Sequence, residues 1–297
     1  MLGLMRLSVP ARLAISGAAL VTLALAAPAD AGRGAALIKY LPDDASFVIV
    51  GDVARSRSSA TFKKMFLFAR DQDAWLDAMA TAVAVDKLAD TVMFSGNGNQ
   101  HFIAVVEGRV DKLLAEAKKQ STKSDVHAGL TYWTTPDGEV ALVDKKLVLT
   151  TSGDMPAVID RAKNKKAKGP AAVRTILAAT APGTAVFGGT LFDASARANM
   201  KTELGSEPEW VAFSLGMAAR LSMDVRLKCA SDEAATKVAK AINDKLGDSG
   251  RGLAEGMIGK DFSDSISIHE DATFARVSAT MTNEELDRVL TVVRMKM

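Results

Sequence analysis

Short apolar runs bounded by turns alternate along the chain with segments of helical periodicity, which is typical of a mixed strand and helix fold. The segment 46–53 is apolar and rich in β-branched residues, and it follows the turn-forming segment 41–45. This pattern predicts a strand. Near the other end, 283–295 has apolar positions at helical spacing, and Thr282 and Glu285 form a capping box in front of it. That segment is predicted to be a helix with one side in the core.

The predicted elements occur twice in the same order: strand, helix, hairpin, helix, hairpin, helix. Phe47 in the first strand aligns with Phe187 at an offset of 140 residues. The other matches are the hairpin 92–95 and 102–106 with 211–214 and 221–225, the helix 111–120 with 231–246, the hairpin 140–143 and 146–151 with 265–268 and 273–280, and the helix 155–166 with 283–295. The first copy has an additional helical segment at 72–85. We interpret the pattern as an internal duplication; the alternative is a chance self-alignment, which freely chosen gaps allow in any chain of this class.

A basic run at 161–168, followed by Gly169 and Pro170, separates the two copies. Cations suit the end of a helix, so this run is interpreted as a helix C-terminus and linker, with a patch for an anionic partner as the alternative. The predicted units are therefore 32–168 and 169–297. Hairpins separated by helices predict an α+β fold of two tandem repeats, each a mainly antiparallel sheet with helices covering one face.

The first 31 residues have the pattern of a signal peptide. A basic start is followed by an uncharged apolar run at 13–27 and by small residues at Ala29 and Ala31. Cleavage is predicted between Ala31 and Gly32. The apolar run is shorter than a bilayer span, so we expect no stable membrane span after cleavage. The expected location is the periplasm or the exterior of the cell.

Composition excludes some classes of protein. Apolar residues make up 48% of the chain, too many for a disordered protein. The formal charge is +2, and it becomes +1 once Arg6, Arg12 and Asp30 leave with the signal segment. This near-neutral balance argues against binding to nucleic acid. Cys229 is the single cysteine, so the chain has no internal disulfide, and a buried position is expected for it.

The segment Leu41-Pro42-Asp43-Asp44-Ala45, placed before an apolar strand, resembles a class of exported bacterial proteins of unknown function. The resemblance covers 41–53 and, more weakly, 181–191. It implies export and carries no activity to this chain.

No motif in the sequence indicates catalysis. His101, His127 and His269 lack the spacing of metal ligands, and no serine lies in a nucleophile elbow. The segment His269-Glu270-Asp271 is interpreted as a solvated hairpin turn, with weak binding of a divalent cation as the alternative. The glycine-rich segment 95–99 leads into a strand and predicts a tight hairpin, not a phosphate loop. We therefore assign no catalytic, cofactor or metal residues and expect no cofactor.

Gly188 and Gly189 lie side by side in the first strand of the second copy. Adjacent glycines in a strand indicate a bulge or the close approach of another backbone, so this pair is a candidate contact between the repeats. The sequence predicts a non-enzymatic binding or structural protein of the bacterial envelope or periplasm, with an unknown protein or small molecule as partner. The alternative is an exported hydrolase whose triad is assembled only by folding. Oligomeric state stays open.

Overall fold

A computed structural model of the protein describes residues 34, 36–72, 85–97, 101–181 and 184–296. The predicted signal peptide, with Ala31 and Gly32, lies outside the described residues. So does most of the additional helical segment predicted at 72–85.

The described chain forms a mixed α+β fold around one large antiparallel sheet. Its strands are β1 (Phe47–Asp52), β2 (Ala89–Gly96), β3 (Phe102–Gly108), β4 (Lys123–His127), β5 (Leu130–Thr135), β6 (Gly138–Val143), β7 (Lys146–Thr150), β8 (Val186–Leu191), β9 (Trp210–Met217), β10 (Leu221–Lys228), β11 (Ser267–Asp271) and β12 (Phe274–Met281). Their spatial order is β11-β12-β10-β9-β8-β1-β2-β3-β7-β6-β5-β4.

A 3-10 turn at Ile38–Tyr40 precedes β1, the helices before β12 lie in the connections between strands, and the last helix follows β12. They are α1 (Val53–Ser56), α2 (Ala60–Gln72), α3 (Val85–Leu88), α4 (Asp111–Lys119), α5 (Met155–Lys163), α6 (Ala171–Ala178), α7 (Ala194–Leu204), α8 (Asp232–Met257), α9 (Lys260–Ser265) and α10 (Asn283–Lys296). Gly247 interrupts α8 with a non-helical backbone conformation.

Helices cover both faces of the central strands, so the prediction of helices on one face only is wrong. Val48 and Val105 pack on one face, with residues of α5 and α6. Phe94 and Ala104 pack on the other, with residues of α2, α4 and α10. We call these the Val48 face and the Phe94 face. The reason lies in the strands themselves: 103–106 is apolar at every position, so both sides of the strand are removed from water.

The two predicted units share one sheet, and each of the two main hydrophobic cores is built from both. β1 and β8 are antiparallel neighbours in the middle of the sheet. Each of the two main apolar clusters contains residues from 32–168 and from 169–297: Val48 and Phe187 belong to one cluster, and Phe94 and Leu221 belong to the other. No crevice between two lobes separates the halves at this seam, because backbone hydrogen bonds of the sheet cross it.

Several local predictions are confirmed. Thr282 and Glu285 form the capping box: the Thr282 N–H donates to Glu285 Oε2 at 2.8 Å, and the Glu285 N–H donates to Thr282 Oγ1 at 3.2 Å. Burial would raise the pKa of Glu285, but hydrogen bonds from the backbone of Thr282 and Phe262 outweigh it and lower the pKa. Cys229 is buried, and burial raises the pKa of its thiol. The hairpin β4–β5 is not among the predicted elements; β4 has a single apolar residue, Val126, so its sequence has no apolar run.

Candidate functional site

A small open cleft lies where the loop before β1, the start of β3, the end of β7 and helix α5 meet. Its volume is about 170 Å³. Clefts for drug-sized ligands are typically about 300–1,000 Å³, so this one suits a ligand of few atoms. Its lining residues are Pro42, Asp44, His101, Phe102, Ile103, Thr150, Asp154, Ala157, Val158 and Arg161.

His101 and Asp154 form the best-defined polar pair in the cleft. His101 Nδ1 lies 2.8 and 3.0 Å from the two carboxylate oxygens of Asp154, and Thr151 Oγ1 donates to the same carboxylate at 2.5 Å. The hydrogen bond to Asp154 raises the pKa of His101. The pair therefore holds the imidazole in one orientation and favours its charged form.

Helix α5 is fixed at its first turn by a carboxylate from the sheet. The Met155 N–H donates to Glu139 Oε2 at 2.9 Å, and Glu139 is buried in β6. An acid suits the N-terminus of a helix, where backbone N–H groups have no partner within the helix. This contact places Asp154 and Arg161 against the ends of β3 and β7.

Arg161 brings a partly desolvated positive charge to the cleft. Its Nε donates to the Tyr40 carbonyl at 3.2 Å, and burial lowers the pKa of the guanidinium although Asp43, Asp154 and Asp44 oppose the shift. Within the described residues, that carbonyl is the hydrogen-bond partner of this guanidinium, so its Nη groups have no acceptor there. Thr150 Oγ1 is also buried without a hydrogen-bond partner in the described chain.

Asp44 supplies the opposite charge. It is exposed, and its Oδ2 accepts a hydrogen bond from Asn97 Nδ2 at 2.9 Å. Pro42, Phe102 and Val158 give the cleft an apolar wall. The arrangement combines a cation, an anion and an apolar wall around a small volume, which is complementary to a small dipolar molecule.

The hydrogen bonds do not assemble a hydroxyl–imidazole–carboxylate triad at this cleft. In such a triad the imidazole accepts the proton of the hydroxyl, whereas the Thr151 hydroxyl donates to Asp154. His127 of β4 pairs with Asp160 of helix α5 at 2.8 Å, and His269 Nδ1 lies 3.3 Å from Ser267 Oγ.

The structure does not bring His269, Glu270 and Asp271 together as cation ligands. They are consecutive in β11, so Glu270 points to the opposite side of the sheet from the other two. In the part of the chain that the structure describes, no group of three or more histidine, cysteine or acidic side chains could hold a metal ion.

Gly188 and Gly189 lie in β8, between β1 and β9. Gly188 pairs with Ile49, and Gly189 pairs with Val48 and Ala212. A Cβ at Gly188 would overlap the Val48 carbonyl oxygen. A Cβ at Gly189 would overlap the Val211 carbonyl oxygen and lie 2.7 Å from Ile176 Cγ2 in α6.

The sequence did not single out this cleft. The sequence pattern indicates turn residues at Asp43 and Asp44 and a histidine without metal-ligand spacing at His101. The signal that could have located the site is weak: Asp154 precedes a predicted helix, and Arg161 lies two turns further along it. Nothing local says that this helix packs beside His101.

Among the described residues, no helix is long and apolar enough to cross a bilayer. No family model matches the chain, and no curated protein matches it. A solved structure titled "Structure of crystal form I of TP0453" is similar to it, with 12% identity and a TM-score of 0.48. The alignment covers 86% of this chain and 96% of that chain.

Proposed function

We propose that the protein is exported and acts as a non-enzymatic binding protein of the bacterial envelope or periplasm, and that the cleft beside Arg161 binds a small dipolar molecule such as an amino acid. Its carboxylate would lie on the Nη groups of Arg161, and its ammonium would face Asp44. The single observation that carries this proposal is the half-buried Arg161, whose guanidinium ends have no acceptor in the described chain.

The charges around the cleft favour a dipolar ligand over a simple anion. His101 and Asp154 form an ion pair with each other. The other two charged residues of the cleft, Arg161 and Asp44, form no ion pair with each other. A simple anion would gain from Arg161 and be repelled by Asp44. A molecule with both charges gains from each, and its apolar part can contact Phe102 and Val158.

A titration of the purified protein followed by NMR tests this proposal, with alanine, acetate and methylammonium as probes. We expect alanine to shift the backbone signals around His101 and Asp154 more strongly than either singly charged probe. Arg161→Gln and Asp44→Asn should each weaken alanine binding about tenfold, whereas Asp43→Asn, next to the cleft, should leave it nearly unchanged. No shift at the cleft with alanine, or equal shifts in Asp44→Asn, would contradict the proposal.

The rival function is hydrolysis with His101 as general base, and the His101–Asp154 pair is the observation that favours it. A hydrolase needs a nucleophile beside the free ring nitrogen. Release of nitrophenol from a short-chain ester, abolished by His101→Gln, would support the rival. We expect no such turnover.

Export is proposed from the N-terminal segment. Protein recovered from the periplasm or medium should begin at Gly32 on N-terminal sequencing. Full-length chain retained in the membrane would contradict it.

We also propose that the two halves are tandem repeats. Outward from the seam the order is β1-β2-β3-β7-β6 in one direction and β8-β9-β10-β12-β11 in the other. The last hairpin and helix match without gaps: Val143 and Asp271 end one strand, Lys146 and Phe274 begin the next, and Met155 and Asn283 begin the helix. These matches support the repeat; β4 and β5 would then be an insertion in the first copy.

The pairing of β1 with β8 favours an alignment of these two strands that differs by one residue from the offset of 140. Residues paired across an antiparallel ladder point to the same face, and Val48 and Phe187 both pack on the Val48 face. A rotation that exchanges β1 and β8 keeps each face, so the offset between the two strands must be odd; an offset of 139, for example, matches Val48 with Phe187. The offset of 140 that pairs Phe47 with Phe187 would exchange the two faces.

A further inference from the structure

The Val48 face changes character beyond β9. Arg226 in β10 lies directly opposite Ala212 of β9 on one side and Arg276 of β12 on the other. Asp224 lies two residues before Arg226 and therefore points to the same face, opposite Ser278. In place of the apolar positions of β3 and β7, these strands carry charges.

The Asp224 carboxylate accepts one hydrogen bond from the Nε of each of the two arginines. Its Oδ2 accepts from Arg226 Nε at 2.9 Å, and its Oδ1 accepts from Arg276 Nε at 2.5 Å. The side chains are 22% and 31% exposed for the arginines and 12% for Asp224. Within the described residues, these are the hydrogen bonds of both guanidinium groups, so their Nη groups have no acceptor there. One carboxylate also leaves one positive charge unbalanced.

The surroundings add one charge of each sign, Lys228 and Asp271, on either side of an aromatic residue, Phe274. His269 lies directly opposite Arg276 on β11, and Lys228 Nζ lies 5.6 Å from the centre of the Phe274 ring. Phe274 packs edge-on against Trp210. We call the surface formed by Asp224, Arg226, His269, Phe274, Arg276 and Ser278 the arginine face.

In the first half of the chain, a helix covers the Val48 face of the sheet. Helix α5 packs on the Val48 face over β3, β7 and β6, and two of its acids bind histidines: Asp154 binds His101, and Asp160 binds His127. These two acids thus pair with histidines next to the sheet. The chain itself therefore provides an example of a helix docked on this face, with one acid, Asp154, just before its first residue and another, Asp160, within it.

In the second half, the helix that follows β12 lies on the other face. Leu286 of α10 packs on the Phe94 face, and Ala235 and Val238 of α8 pack with Ala275, on the side of β12 opposite Arg276. Of the helices that the structure describes, α6 covers β8 and β9 on the Val48 face, and none has buried residues packed over Arg226 or Arg276. The comparison with α5 uses the proposed repeat, whereas the charges of the arginine face do not depend on it.

We propose that the arginine face docks an acidic helix of a partner protein, in the position that α5 occupies in the first half. Its carboxylates would accept hydrogen bonds from the Nη groups of Arg226 and Arg276, and its apolar side chains would contact Phe274. Arginine suits this role because its planar group can donate to one carboxylate while it holds another.

A labelled helical peptide with glutamates along one face and leucines beside them tests the proposal by fluorescence anisotropy. The purified protein should bind it at low ionic strength and lose it as salt rises to about 0.5 M, because the contacts are partly exposed. The same peptide with glutamine at every glutamate should not bind. Arg226→Gln with Arg276→Gln should weaken binding at least about tenfold. The matched control Lys112→Gln with Arg220→Gln removes the same charge from exposed positions elsewhere and should leave binding nearly unchanged.

Ser278→Glu leaves both arginines in place, so it tests the same site even if the double arginine variant fails to fold. Its carboxylate would lie on the same face as Arg276, where it should take the place of a partner's carboxylate and prevent peptide binding. Because Asp224 lies directly opposite position 278, we expect a modest loss of melting temperature in a protein that stays folded. Absence of peptide binding to the parent protein would overturn the proposal, as would equal binding by Ser278→Glu. Displacement of the peptide by equimolar inorganic phosphate would overturn it too, because the site would then be one for a small oxyanion. Alanine binding at the cleft is measured separately and should be unaffected by Ser278→Glu.

Discussion

Gly189 lies directly opposite Val48 in the ladder that joins β8 to β1. This pair belongs to the seam where the chain before residue 169 meets the chain after it. On its other side, Gly189 is paired with Ala212 of β9, and Ile176 of α6 lies above it. The absent side chain allows the helix to approach the sheet at the centre of the fold.

Gly189→Val should destabilise the protein. Valine favours strands, but its Cβ would overlap the Val211 carbonyl oxygen, so backbone has to move. We expect a loss of about 2–3 kcal/mol in the free energy of unfolding, measured by denaturant melts. Gly252→Ala is the control, because a Cβ there meets no atom within 4 Å and the residue lies in α8. It should gain up to about 1 kcal/mol. An unchanged melt for Gly189→Val would contradict the close packing at the seam.

Trypsin should cut first between α5 and α6. Lys165, Lys166 and Lys168 are exposed in the loop 164–170, and exposed loops are nicked before packed elements. Because β1 and β8 share a ladder and both cores contain residues of each half, the two fragments should elute together from a sizing column. They should separate only in denaturant. Replacing the three lysines with glutamine should slow the cut, and separation of the fragments in native buffer would show that the halves are independent units.

The charge of His101 should depend on Asp154. Their contact raises the pKa of His101, so the charged pair adds stability fully below the ordinary histidine pKa of about 6.5. That stability is lost as pH rises through the raised value. An NMR titration of the His101 ring should give a pKa above the ordinary histidine value, and Asp154→Asn should return it towards that value. Equal pKa values in the parent and Asp154→Asn would contradict the pairing.

The capping box before α10 should be worth more than an ordinary helix cap. Glu285 is buried and accepts from the N–H of Thr282 and of Phe262, so Glu285→Ala leaves two backbone donors without this acceptor. We expect Glu285→Ala to cost about 2–3 kcal/mol and Thr282→Ala about 1 kcal/mol.

The same carboxylate gives a pH dependence. Because the pKa of Glu285 is lowered, its contribution is present above the ordinary glutamate pKa of about 4.3 and is lost as pH falls through the lowered value. The stability difference between the parent and Glu285→Gln should therefore shrink on acidification. A constant difference from pH 7 down through that range would contradict the assignment.

The sequence by itself determined those elements whose boundaries depend on residues close together in the chain. The hairpin of β6 and β7 turns at Asp144 and Lys145, as predicted, because the apolar runs on either side end there. The helix α10 begins next to Thr282, as predicted, because a cap involves residues three positions apart. The hairpin of β11 and β12 turns at Ala272, slightly later than predicted, since polar strands mark their ends poorly.

Tertiary structure alone decided which faces are covered and which side chains meet. Alternation along a strand says that one side is buried, but 103–106 is apolar on both sides, and only the packing of α5 and of α4 shows what each side contacts. Asp44, His101 and Arg161 come from three separate elements, and no local pattern brings them to one cleft. The pairing of β1 with β8 is likewise a contact between distant parts of the chain. Hydrogen bonding and periodicity act over a few residues, whereas these contacts depend on the burial of whole elements against one another.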